Sequence, residues 1–501
     1  MSTIPANDIL SLATDLASNV GSATPGAPVS APATLQATPT QPPPAEICGF
    51  VRGDEVELAE HVLCALGTTD LVWDEGELHI YSPGEGIYRP IPHEMLTDML
   101  SRYSGWPVVA GNRTKPLRLS EKAIAGAIKL VRARTITAQA GKTFAMATPG
   151  LAFTNGFLTI QAGQLLLWPH SPSHLARYSY PWQFDPNTTA PKLDQLMNEL
   201  FSDTNPMQCQ AQKLLLQQYT GVSLFGLAAR YQRALVLHGP GANGKSTAMT
   251  AIKAIFPPGA VASLPPQVWG KQFQIAQLCG KLINVVHEIP ESEIVAGALF
   301  KSVISGEPVF AEKKFKDPFH YSPIAGHIFA ANSLPATVDY SHGFWRRLLV
   351  VPFTRDMEQT PQHRPDAAAD VITAELPGMV NWAVWGAVSV FGMGGYAEPE
   401  SSRQMKEQWQ QQVDPVRLFA ATECAADPNT RTPARGLYEA FRRFVDENGF
   451  RDLKSTTFYQ RFNQLGFKSK HGKDGNFYNL LLVRNNAAPI VYPNPHLPST
   501  R

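Results

Sequence analysis

Apolar positions along the chain change period several times, and each change marks an element. DEVELAEHVLCAL (54–66) spaces its apolar side chains as a helix does. LVWDEGELHIYSPGEGIYRPI (71–91) alternates and is broken by turn residues, which predicts strands joined by tight turns. SEKAIAGAIKLVRAR (120–134) returns to a helical period with a basic face, and FTNGFLTIQAGQLLLWPHS (153–171) reads as a further hairpin. Residues 48–190 therefore predict an α+β domain. Residues 191–226, from PKLDQLMNELF to LLLQQYTGVSLFG, are helical in pattern. From 230 to 356, short apolar runs alternate with helical segments, the order of an open parallel sheet in an α/β domain.

MVNWAVWGAVSVFGMGG (379–395) is apolar but carries Asn381 and Ser389 and is bounded by Pro377. It is shorter than the roughly 18–20 residues a membrane span needs, so a buried core helix is expected and no membrane partner. The unit 191–395 is followed by a polar stretch, 396–413, read as a connecting helix or linker. The last unit, 414–484, has a helix over 432–449 with an apolar face through Leu437, Phe441 and Phe444. A second helix over 454–467 is expected to be capped by Ser455 and to end at Gly466. A hairpin over 467–483 follows, its loop carrying Lys468, Lys470, His471 and Lys473. Helix, helix, basic hairpin is the order of a winged helix, in which the second helix enters a major groove and the wing touches phosphates. Tyr459, Arg461 and Gln464 are then candidate DNA contacts. The plainer alternative is a small helical cap with a solvated lysine loop. Residues 1–47, rich in Ala, Pro, Ser and Thr, predict a disordered tail with one short amphipathic stretch at 7–17, and 485–501 a second tail.

Composition narrows the classes. The chain has 501 residues, enough for two to four domains, and 44% hydrophobic residues. A net charge of +1 means that any DNA-binding surface must be local. Five scattered cysteines without a C-x-x-C pair argue against a zinc ribbon and fit a reducing cytoplasm. No Lys or Arg precedes Arg52, which argues against secretory or mitochondrial targeting.

The chemistry concentrates after residue 234. A short apolar strand pattern, Ala234–Leu237, leads into Gly239, Pro240, Gly241, Ala242, Asn243, Gly244, Lys245 and Ser246, followed by Thr247. This fits the phosphate-binding loop G-x-x-x-x-G-K-[ST]. Glycines let backbone N–H groups turn inward around a phosphate, Lys245 supplies charge, and the Ser246 hydroxyl suits Mg²⁺. A nucleotide such as ATP is the expected cofactor. Leu282–Val286 is a β-branched strand pattern, and Glu288 lies just past its end, where a carboxylate would face the phosphates; Glu291 is a weaker alternative. Asn332 ends a further buried run, suited to sensing a γ-phosphate. Arg346 and Arg347 precede another strand, and an arginine near such a sheet can stabilise transition-state charge in a neighbouring subunit. Lys313, Lys314 and Lys316 surround Phe315.

With these residues in order, the chain resembles the superfamily 3 helicases of phage and plasmid primase–helicases and of the helicase part of the poxvirus primase–helicase. GPGANGKST (239–247), KLINVVHEIP (281–290), ISGEPVFAEKKFKDPF (304–319), HIFAANSLP (327–335) and GFWRRLLVVPF (343–353) carry the resemblance over about 120 residues. It implies an AAA+-like P-loop core, with 191–395 as the helicase ATPase domain, and gives Lys245 and Ser246 phosphate and Mg²⁺ binding. It makes Glu288 the catalytic acid, Asn332 the sensor, Lys314 or Lys313 the DNA-gripping residue of a hairpin, and Arg347 or Arg346 the finger acting in trans. It implies a ring, usually a hexamer, on single-stranded and forked DNA, served by a separate primase or polymerase. Two departures stand out. Relatives with an arginine near Glu312 differ from AEKKFK here, and a fused primase is not expected, since WDEGE (73–77) reads as a surface turn rather than paired catalytic carboxylates. The competing readings are an ATP-dependent initiator or regulator that does not unwind DNA, and a small-molecule kinase or metabolic NTPase.

Overall fold

The computed structural model describes residues 50–67, 70–139, 141–202, 205–289, 297–314, 318–332, 339–357, 366–450, 452–473 and 475–483. The expected tails, the 7–17 stretch, Glu291 and Lys316 lie outside these.

At the centre is a five-stranded parallel sheet of β1 (Ala234–His238), β2 (Val261–Ala262), β3 (Ile283–Val286), β4 (Gly326–Ala331) and β5 (Leu348–Pro352). Its order is β2-β3-β4-β1-β5. The fold is thus mixed α/β, as the alternating pattern predicts. Near-continuous apolar runs such as INVV and LLVVP are buried throughout, as strands covered on both faces must be. Helix α1 (Lys245–Ile255) follows β1 directly.

Two long helices cover the sheet. Pro206–Leu224 packs along Ala367–Met393 so closely that backbones touch: a Cβ on Gly221 would lie 2.0 Å from the Ala383 carbonyl, and one on Gly386 2.1 Å from the Gln217 carbonyl. The second helix is longer than the 379–395 pattern predicts and contains Pro377 rather than stopping at it. Non-helical backbone at Glu375 accommodates the proline. The same kink brings the Glu375 carboxylate to the start of helix Pro191–Leu200, where it accepts from the Lys192 and Leu193 amides at 2.9–3.1 Å. Among the described residues this is the helix long and apolar enough to cross a membrane, and its Met379, Val380, Ala383, Val384 and Ala387 are core.

The preceding domain carries helices Glu55–Leu66, His93–Ser101 and Glu121–Ala138, and a three-stranded sheet of Leu71–Asp74, Glu77–Ser82 and Ile87–Ile91. The hairpin expected over 153–171 is one half of a second three-stranded meander, Leu151–Phe153, Gly156–Gln161 and Gln164–Trp168. The segment 396–413 is no loose connection. Its helix Glu400–Val413 buries Trp409 edge-on against Trp345, 5.1 Å away. The last domain has helices Pro415–Glu423, Ala434–Glu447 and Ser455–Gln464 and a sheet in which Gly475–Tyr478 pairs with Thr432–Pro433 and with Lys470–Gly472. Ser455 is the first helical residue and not the expected cap; Lys454 holds that position without a side-chain bond.

His79 is buried in the first domain beside Phe144, and burial, reinforced by Arg177, lowers its pKa to about 4. The unfolded chain therefore takes up a proton near pH 6.5 that the native chain refuses until about pH 4. Stability falls as pH drops across that window, by about 3 kcal/mol when complete. Urea unfolding at pH 7, 5.5 and 4.5 should show this loss, and His79→Phe should flatten it.

Candidate functional site

Parallel strands deliver their last residues to one edge. The loop 239–244 leaves β1 there, Asn332 leaves β4, and Glu288 stands two residues past β3. Because β4 lies between β1 and β3, Asn332 sits between the loop and the carboxylate. Its Nδ2 donates to Glu288 Oε1 at 3.3 Å. The Ile289 amide bonds to the Ala330 carbonyl at 3.0 Å and holds Glu288 at this edge.

The loop is built against its surroundings. A Cβ on Gly239 would lie 2.0 Å from the Phe353 carbonyl and 2.3 Å from Asn243 Nδ2. Gly244 has φ +81°, and a Cβ there would lie 2.2 Å from Leu200 Cδ2. Asn243 Nδ2 donates to the Phe353 carbonyl at 2.7 Å, and the Met357 amide to that of Ala242 at 2.8 Å. Lys245 Nζ donates to the carbonyls of Gly239 and Pro240 at 2.7 and 2.8 Å and to Asn243 Oδ1 at 2.9 Å. Burial lowers the Lys245 pKa, and the Glu288 charge opposes that shift. Pro240, Gly241 and Ser246 are exposed, nothing crowds Gly241, and Thr247 is half-buried in the first turn of α1. A loop packed too tightly for side chains at Gly239 and Gly244, a buried lysine bonded within it, a hydroxyl in the first helical turn and an acid near the same sheet edge fit a nucleotide triphosphate with its cation.

The two arginines differ. Arg347 is 7% exposed, with Nε and Nη2 donating to Ser305 Oγ at 3.1 and 2.7 Å and Nη1 to the Gly343 carbonyl. Burial, then Arg346, lowers its pKa. Arg346 is exposed and bonds Gln232 Oε1 at 3.0 Å. Of the two arginines expected to offer a trans-acting residue, Arg347 is thus satisfied within its own chain, whereas Arg346 faces outward. Both precede β5, whose register with β1 runs from Leu348↔Ala234 to Pro352↔His238. They stand at the opposite sheet edge from the loop, a strand length of about 16 Å away.

Of the candidate DNA contacts, Lys314 is exposed. Lys313 is engaged: its Nζ lies 3.5 Å from Glu77 Oε1 and donates to the Glu75 carbonyl at 3.3 Å. WDEGE is correspondingly not a free surface turn. Glu75 pairs with Arg177 at 2.8 Å, both side chains 16% exposed. Lys468, Lys470 and Lys473 are exposed as expected. Arg461 and Tyr459 turn inward instead. Arg461 pairs with Asp414 at 2.5 Å and lies 4.0 Å over the Tyr340 ring. The Tyr459 hydroxyl donates to the Ala434 carbonyl at 2.7 Å, and its ring stacks on Tyr478.

Residues 411–487 match the family model described as Poxvirus D5 protein-like, and residues 237–347 match a family of unknown function, DUF5906. The likeness to the Poxvirus D5 protein-like family thus lies in the last domain. Similar solved structures include the A form apo structure of the NrS-1 C terminal region, 12% identical, covering 86% of this chain and 99% of that one at a TM-score of 0.43. An apo structure of the same region is 11% identical, with 86% and 99% covered at a TM-score of 0.42.

Removing Arg347 takes away the guanidinium partner of the half-buried Ser305 hydroxyl and Gly343 carbonyl and leaves a cavity where the side chain lay. Arg347→Ala should cost about 2–4 kcal/mol in urea unfolding. Arg346→Ala should stay within about 0.5 kcal/mol of the parent.

Proposed function

We propose that the chain is an ATP-dependent DNA helicase of superfamily 3 that acts in phage or plasmid DNA replication as a ring translocating on single-stranded DNA. The observation that carries this is the gathering of the loop, the Glu288–Asn332 pair and Lys245 at one sheet edge, with an exposed arginine at the other. The core is read as a P-loop NTPase. Gly239 to Thr247 would hold ATP, and Ser246 with Glu288 would hold Mg²⁺; bound ATP supplies the phosphoanhydride bond that is cleaved. Glu288 would polarise the attacking water, and Asn332 would hold that carboxylate in place. Arg346 cannot reach its own loop, so it would enter the site of the next subunit, which requires a ring, a hexamer by resemblance. Lys314 would meet DNA phosphates on the hairpin Val309–Ala311/Phe319–Tyr321. The last domain is read as a winged helix whose Lys468, Lys470 and Lys473 contact DNA backbone, in keeping with its three helices and basic hairpin. The partners would be forked DNA and a separate primase or polymerase, in the cytoplasm of a bacterial host.

One observation favours a second reading. Lys313, on the hairpin that would move with hydrolysis, is tied to the first domain. A protein that uses ATP only to assemble on DNA, as an initiator or regulator, needs no such movement.

ATP hydrolysis with and without single-stranded DNA separates the two. A motor should be stimulated at least about 10-fold by DNA. Lys245→Ala and Arg346→Ala should each lose activity by about 1,000-fold or more, roughly the lower end of the range for an arginine finger. Mixing the two variants should restore part of it, since each supplies what the other lacks. Slow hydrolysis indifferent to DNA would overturn the motor reading in favour of the initiator.

A further inference from the structure

The hairpin Val309–Ala311/Phe319–Tyr321 has one buried face. Val309, Ala311 and Tyr321 are core, and the Tyr321 hydroxyl donates to the Ile275 carbonyl. Strand alternation then sends Phe310 outward, where it is 59% exposed. Among the described residues it is the one phenylalanine in the exposed class of large apolar side chains. His320 is its register partner, with ring centroids 5.4 Å apart and planes inclined at 67°. A cross-strand aromatic pair stabilises a ribbon modestly. It does not account for leaving most of a phenyl ring in water, which apolar burial disfavours. The ribbon leads within four residues to the exposed Lys314.

An exposed phenyl ring, braced edge-on by His320 and followed four residues later by an exposed cation, complements one chemistry well: unpaired bases on an anionic backbone. Bases inside a duplex offer no face, whereas a single strand offers one at every nucleotide. We propose that Phe310 and His320 form a stacking platform for unpaired bases of single-stranded DNA, with Lys314 on the adjoining phosphates. This rests on the DNA-translocating reading and adds the residues that take the bases. Lys313, held by Glu77, positions the ribbon end and leaves Lys314 as the cation that reaches outward. Stacking tolerates any base, so the platform would grip without sequence preference, as translocation requires.

The test uses the full-length protein and fluorescence anisotropy with two labelled oligomers of equal length, one of deoxythymidine and one abasic throughout. Phe310→Ala should weaken binding to the first by roughly 5- to 100-fold and leave binding to the second unchanged. Its salt dependence should match the parent, whereas Lys314→Ala should lower the salt slope by about one for both oligomers. Phe310→Leu, which keeps apolar bulk, should behave as the alanine variant, and Phe310→Trp should retain binding. Equal loss on both oligomers, or no loss on either, overturns the platform. A Phe310→Ala that changes only the oligomeric state assigns the face to a neighbouring copy and overturns it too. If the parent protein binds neither oligomer, the translocase reading fails with it. If the parent shows DNA-stimulated hydrolysis and Phe310→Ala binds normally, only the platform fails.

Discussion

The candidate site depends on the register between β3 and β4. Asn284 and His327 are direct partners across these strands, both buried, and the Asn284 amide faces His327 Nδ1 at 3.2 Å. The same amide is locked to Leu264, accepting from its N–H at 2.7 Å and donating to its carbonyl at 2.9 Å. Burial drives the His327 pKa down to about 3, so the ring is neutral and can accept. A slip of one residue would separate this pair, turn apolar side chains to the wrong faces and move Asn332 past Glu288 by about 3.3 Å. Polar groups inside an apolar sheet are costly unless paired, so this pairing penalises every other register. The chemistry at the sheet edge is thereby set by two side chains that would touch no substrate.

What the sequence made legible was what local stereochemistry dictates. The loop could be read because Gly239 and Gly244 answer to contacts that any Cβ would violate. Glu288 could be read because a β-branched run ends just before it. The inward or outward turn of neighbouring residues could not. Arg346 and Arg347 follow the single helical turn His342–Trp345, too short to show a period, and the side-chain partners that distinguish them, Gln232 and Ser305, lie far earlier in the chain. Lys313 looked free because its partner Glu77 is remote in sequence. Tyr459 and Arg461 lie on a helix whose polar pattern suggested a groove-facing side, yet one is held by Ala434 and the other by Asp414 and Tyr340. The 396–413 segment reads as polar because Trp409 is its single deeply buried aromatic. Phe310 was passed over for the opposite reason: an apolar residue in an apolar run is assigned to the core unless the strand face is known.

These remote pairings have a common consequence. The segment 339–347 that bears the arginines meets the last domain through Tyr340 and Arg461, and the hairpin with Lys313 meets the first domain through Glu75 and Glu77. Each of the two core segments assigned to partners outside the nucleotide site is therefore anchored by a different flanking domain. One anchor is a cation–π contact whose arginine is itself fixed by Asp414 within the last domain, and the other is a partly exposed ion pair at 3.5 Å. If the hairpin moves on hydrolysis, the first domain either moves with it or gives up Lys313. Under the proposed function, a lysine that exchanges a carboxylate for a phosphate would open the second course only when DNA is present. In the proposed motor, the flanking domains would then set which positions of the hairpin and the arginine segment are reachable, rather than add chemistry of their own.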